Sequence, residues 1–97
     1  MPDSILNIQV IPKVLDPDDL YPAVEAAVAV ADNSGLHYEV GALGTTFEGD
    51  LDEVLQVVTE MQRALVDWGS PNVISQIRLF HDPAGVSMDG LTGKFRE

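Results

Sequence analysis

Apolar and polar positions alternate at the start of the chain. In the segment SILNIQVIP, Leu6, Ile8 and Val10 form one wholly apolar row, and Ile5, Asn7, Gln9 and Ile11 form a mixed one. Such alternation predicts a half-buried strand over Ser4 to Pro12. Leu15-Asp16-Pro17-Asp18-Asp19 then opens a loop. The spacing changes to helical from Leu20: Leu20, Val24, Ala27, Val28 and Ala31 recur along a run rich in small side chains. Asp18 or Asp19 serves as its N-cap, Pro22 fits its first turn, and Gly35 ends it. Alternation returns in LHYEVGAL, with Leu36, Tyr38 and Val40 against His37, Glu39 and Gly41, and continues after Gly44 in a short strand from Thr45 to Glu48. A second helix starts at Asp50, where Glu53 completes a capping box, and its apolar stripe is Leu51, Val54, Leu55, Val58, Met61 and Leu65. Gly69 and Pro71 stop it, and a last strand covers Asn72 to Phe80.

The order β-α-β-β-α-β within 97 residues predicts a single α+β domain of ferredoxin-like architecture. It is a four-stranded antiparallel sheet with two helices on one face. Residues 82–97 form a loop-like tail with at most a short helical turn. Parity sorts the strand residues between two faces. Leu6, Ile8, Val10, Leu36, Tyr38, Val40, Val73, Ile77 and Leu79 belong beneath the helices. Ile5, Asn7, Gln9, Ile11, His37, Glu39, Gln76, Arg78 and Phe80 belong to a face that no helix covers. For the third strand two registers are open: either Thr46 and Glu48, or Thr45 and Phe47, join the uncovered face.

Charge and composition narrow the function. Sixteen acids against five bases give a formal charge of −11, which excludes a phosphate-binding surface for nucleic acid and disfavours anionic membranes. The absence of cysteine removes disulfides, thiol nucleophiles and Cys-based zinc sites. His37 and His81 match no metal spacing. No apolar run reaches the roughly 20 residues of a membrane span, and the N-terminus lacks a secretion signal, so a cytoplasmic protein is expected. Without a nucleophile or a partnered histidine, a binding protein is expected rather than an enzyme, with no catalytic residue and no metal.

Asn7, Gln9, Glu39, Glu48 and Arg78 form the richest polar constellation on the uncovered face. It reads either as a solvated surface with an Arg78–glutamate pair or as a ligand platform. Glu48, before Gly49 and at the rim of that face, is the leading candidate for a cationic ligand, assisted by Thr45 or Thr46 and by Asn7 or Gln9. Apolar Ile5, Ile11, Ile74 and Phe80 on the same face predict a homo-oligomer, a dimer or tetramer, built through this face or the sheet edges.

The run SGLHYEVGALGTTFEGDLDEV, from Ser34 to Val54, resembles the thiamine-binding, YkoF-like family of small ferredoxin-like proteins. Its Gly44-Thr45-x-x-Glu48-Gly49 core carries the likeness, which extends over most of residues 4 to 80. Ala42-Leu43 stands where that family usually has Pro-Met, and Phe80-His81-Asp82 where an acid and an arginine often end the last strand. The resemblance implies binding of thiamine or a related heteroaromatic cation, and assembly of subunits through their sheets. Phe47 or Trp68 would supply the aromatic face for such a ring, and thiamine would be a ligand rather than a cofactor. The alternative is a ligand-sensing or oligomerisation module of the same shape without thiamine affinity.

Overall fold

A computed structural model describes residues 2–95. Its first strand, β1 (Ser4–Pro12), is followed by a turn of 3-10 helix at Pro17–Asp19 and by helix α1 (Leu20–Asn33). Strands β2 (His37–Val40) and β3 (Thr45–Gly49) form a hairpin, then come helix α2 (Leu51–Trp68) and strand β4 (Val73–His81). The sheet order is β2-β3-β1-β4, and every neighbouring pair is antiparallel. This is the ferredoxin-like α+β architecture expected from the alternation of periods along the chain.

Local chemistry explains the boundaries. Asp19 is the N-cap residue of α1 but makes no side-chain capping bond, whereas Asp16 caps the preceding 3-10 turn by accepting from the Asp18 amide at 3.0 Å. At α2 the expected capping box forms: the Glu53 carboxylate accepts from the Asp50 amide at 3.0 Å, and the Asp50 side chain accepts from the Glu53 amide. The Leu51 amide donates to Asp3 Oδ1 at 2.9 Å, so the chain start holds a donor that the helix cannot satisfy itself. Gly69, at φ 125°, closes α2 in a conformation that an L side chain resists. Strand β2 ends at Val40, short of the expected Leu43, so the β2–β3 turn begins earlier than the alternation predicts. The Gly41 amide donates to the Gly44 carbonyl at 2.8 Å, leaving Ala42 and Leu43 as the two loop residues.

The core lies between the sheet and the helices. Leu6, Ile8, Phe47, Val54, Val57, Met61 and Leu65 are buried there with Ala23, Ala27 and Ala31. Both helices are rotated from the expected stripes. Ala23, Ala27 and Ala31, spaced by four, bring α1 close to the sheet because they have almost no side chain to accommodate. Val24 and Val28 are thereby displaced to its flank and are half-buried. In α2, Val57 is buried and Leu55 is exposed, since the row 54, 57, 61, 65 follows one face at helical spacing.

The tail departs from a plain loop. Residues Met88–Thr92 form a short helix, α3, followed by a 3-10 turn at Gly93–Phe95. The Asp82 amide donates to the Asp3 carbonyl at 2.8 Å and the Val86 amide to the Pro2 carbonyl at 2.9 Å. Val86 and Met88 are buried, outside the helix-side core. Backbone hydrogen bonds to the chain start, with these two apolar anchors, fix a segment whose glycines and proline gave no periodic signal.

Candidate functional site

Ladder pairing settles the register of β3. Ile5 stands opposite Glu48 and Asn7 opposite Thr46, and across the hairpin His37 faces Glu48 and Glu39 faces Thr46. The uncovered face therefore gathers Asn7, Gln9, Glu39, Thr46 and Glu48 with Arg78, which pairs in register with Asn7. Thr45 and Phe47 lie on the opposite face. Phe47 is 0 % exposed in the core and packs at 6.0 Å, centroid to centroid, on Tyr38. It has no free ring face for a ligand. Trp68 is partly exposed at the end of α2.

Several members of the polar constellation already have partners. Asn7 Nδ2 donates to Thr46 Oγ1 at 2.9 Å. Glu48 Oε1 accepts from the Met88 amide at 2.8 Å and so anchors the start of α3 over one end of the uncovered face. Arg78 is not the partner of Glu48. What remains of that face near Ile5, Asn7, Arg78 and Phe80 is a shallow depression.

A more enclosed concavity lies on the helix side. It is a cleft of about 220 Å³ walled by Val24, Ala27 and Val28 of α1, by the hairpin turn from Val40 to Thr45, and floored by Ile8, Gln9, Val10 and Met61. Its origin is geometric. Strand β1 has nine residues, but β3 pairs with only the first five of them, from Ser4 to Ile8. Beyond Ile8 the hairpin bends away, and α1 roofs the gap. Gly44 permits the bend: a Cβ there would lie 2.9 Å from the Ile8 carbonyl oxygen. The walls are mostly aliphatic, as in small-molecule sites, and the volume is below the roughly 300–1,000 Å³ typical of drug-sized ligands. One substituted ring fits such a space. Of the candidate residues, Thr45 and Gln9 border this cleft. Periodicity along the chain does not reveal this cleft, because Val24 and Val28 fall within the apolar stripe of α1.

The chain is thus a compact ferredoxin-like domain with a small apolar cleft at its Gly44-Thr45 turn. The model of the family described as thiamine-binding protein matches residues 6–95, and the chain belongs to that family. A UPF0045 protein of Clostridium perfringens is 33% identical over 91 residues, covering 94% of this chain and 95% of the relative. A solved Bacillus cereus structure, described as a domain of unknown function DUF77, superposes with a TM-score of 0.93 at 38% identity, covering 99% of this chain and 92% of the other. A Thermotoga maritima protein named as a candidate for thiamine biosynthesis or salvage gives a TM-score of 0.88 at 27% identity, covering 98% of this chain and all (100%) of the other. Among the described residues, no helix is long and apolar enough to cross a membrane.

Proposed function

We propose that the chain is a cytoplasmic binding protein for thiamine or a related heteroaromatic cation, and that it holds the ligand's ring in the cleft beneath α1. The observation that carries this reading is a coincidence of place: the Gly44-Thr45 turn, within the segment that resembles the thiamine-binding family, also forms the mouth of the cleft. Aliphatic walls suit a flat ring, and the formal charge of −11 favours the approach of a cation. The polar content of the lining is the Thr45 hydroxyl and main-chain groups, with no acid–base pair among them. That inventory suits binding and release of an unchanged ligand.

Calorimetric titration with thiamine tests the reading. Val28→Phe fills the cleft from the half-buried flank of α1 and is expected to abolish binding in a folded protein. Binding that survives Val28→Phe and is lost in Glu48→Gln would move the site to the uncovered sheet face.

The same protein is expected to self-associate through β4. Its outer edge is unpaired among the described residues, and it presents Ile77 and Leu79 on one face and Ile74 and Phe80 on the other, each about half exposed or more. A long apolar edge of this kind favours pairing with a second copy. Light scattering is expected to report a dimer or larger assembly for the native chain and a monomer for Ile77→Lys.

A further inference from the structure

One end of the molecule carries apolar surface that the fold does not use. Strand β3 is antiparallel to β1 with Thr45 opposite Ile8, so the β2–β3 turn lies toward the Pro12 end of β1. The chain leaves the sheet at that same end. The segment from Leu15 to Pro22, which holds the 3-10 turn and the start of α1, is exposed at every residue. Val24 and Val28 of α1 meet the β2–β3 turn across the cleft, and Tyr21, three and seven positions before them, continues their flank of the helix outward. Among the described residues, Leu15, Leu43 and Tyr21 are the most exposed large apolar side chains, at 88%, 80% and 77%. None of the three belongs to the core. Asp16, Asp18 and Asp19 are interleaved with them, exposed and without a cationic partner among the described residues. From Val14 to Gln62 the chain has no lysine or arginine, so both sides of this end are acidic or neutral.

We propose that this end is a docking surface for a second protein, one whose contact face has an apolar centre ringed by lysine and arginine. Leu15, Tyr21 and Leu43 are the anchors, and Asp16, Asp18 and Asp19 form the charged rim. Exposed apolar side chains gathered at one place and rimmed by charge mark interaction surfaces, and a tyrosine ring offers a large contact area with few torsions to freeze. Charge complementarity selects the occupant. A second copy of this chain would set the three aspartates of each copy against each other, with no base in either segment to offset them. An anionic membrane meets the same repulsion. A basic protein face satisfies the rim and buries the anchors, and its positive field speeds the encounter. A partner seated here covers the mouth of the cleft, the position from which a carried ligand is handed over. That consequence, but not the docking, rests on the cleft being the ligand site.

A synthetic amphipathic helix of leucine and lysine serves as the probe, titrated into the native chain by calorimetry and by NMR of the backbone amides. It is expected to bind, with the shifted amides concentrated in the 15–25 and 40–45 segments. The variant carrying Leu15→Ser, Tyr21→Ser and Leu43→Ser keeps the net charge and touches no core residue. It is expected to bind the probe at least about tenfold more weakly. Val66→Ser, which removes an exposed apolar side chain from α2, is expected to leave the affinity within about twofold. Asp18→Asn with Asp19→Asn is expected to weaken binding about threefold and to flatten its dependence on salt. Leu15→Ser alone, at the most exposed of the three positions, repeats the test in weaker form if the triple variant melts early. A peptide in which glutamine replaces the leucines binding as well as the probe means that charge alone is read, and overturns the proposal. So does full affinity in the triple variant, or shifts centred on β4. Two further results assign the surface to another occupant and overturn it equally: a smaller assembly of the triple variant in light scattering, which means a second copy, and co-sedimentation with phosphatidylglycerol vesicles that the triple variant loses, which means a membrane. Thiamine titration of the triple variant keeps the two readings apart, because docking can fail while the cleft still binds, and the reverse.

Discussion

Strand β1 has two borders, and they are built differently. Toward β4 it is paired along all nine residues, from Ser4 with His81 to Pro12 with Val73. Toward β3 it is paired along five, from Ser4 with Gly49 to Ile8 with Thr45. The complete border leaves no gap, and its liability is passed outward to the free edge of β4. The incomplete border leaves unpaired backbone and an opening that α1 roofs. A single strand therefore separates an edge suited to another protein chain from a cleft suited to a small molecule, and the length of the ladder decides which.

The incomplete border depends on firm anchoring where pairing does occur. Phe47 provides it: the ring is fully buried beneath the helices. Phe47→Ala is expected to cost about 3–5 kcal/mol, a large fraction of the stability of so small a domain. Urea denaturation measures this. The milder Phe47→Leu should remain folded and keep thiamine affinity within about twofold, as suits a residue that shapes the core and not the ligand contact. A folded Phe47→Leu protein that has lost its ligand would return the ring to the site.

Gly44 controls where the border ends. A methyl group at this position would lie 2.9 Å from the Ile8 carbonyl oxygen and 3.0 Å from Asn7 Oδ1. The first of these is backbone and cannot swing aside. Gly44→Ala is expected to push the hairpin outward at a cost of about 1–3 kcal/mol, with a loss of thiamine affinity larger than the stability change alone explains. A variant of native stability and native affinity would show that the close approach does not set the cleft.

Much of this could be read from the chain, and the exceptions share a cause. Alternation in SILNIQVIP assigned β1 and both of its faces, because a period of two leaves little freedom once one face is apolar. The same reasoning could not choose between Thr46 with Glu48 and Thr45 with Phe47, since four residues between two glycines offer two nearly equal parities. Only the pairing of Asn7 with Thr46 resolves it. Glu48 was legible as a carboxylate on the uncovered face. That it accepts from the Met88 amide, 40 positions along the chain, was not. The cleft was illegible for another reason: it consists of a missing ladder segment and a helix flank, and no residue type announces either.

The smallest effect concerns the outer strand of the same border. Tyr38 lies on β2, packs its ring against Phe47, and donates its hydroxyl to Asp32 Oδ1 at 3.0 Å. That hydrogen bond, with desolvation and the carboxylate's charge adding to it, raises the phenol above its usual value of 10.0. A group whose proton is held more tightly in the folded state stabilises the fold below its unfolded pKa, and the contribution disappears as pH rises through the raised folded value. Since the hydroxyl is well exposed, solvent screens the interaction and the contribution is modest. Tyr38→Phe keeps the ring against Phe47 and removes only the titrating group. Its stability should fall slightly below that of the native protein at neutral pH, and the two should converge as the pH rises above about 10. Thermal melts from pH 7 to 11 report the difference. Curves that stay parallel over this range would mean that the Asp32 hydrogen bond contributes nothing, and that the hairpin is held on the core by the aromatic contact alone.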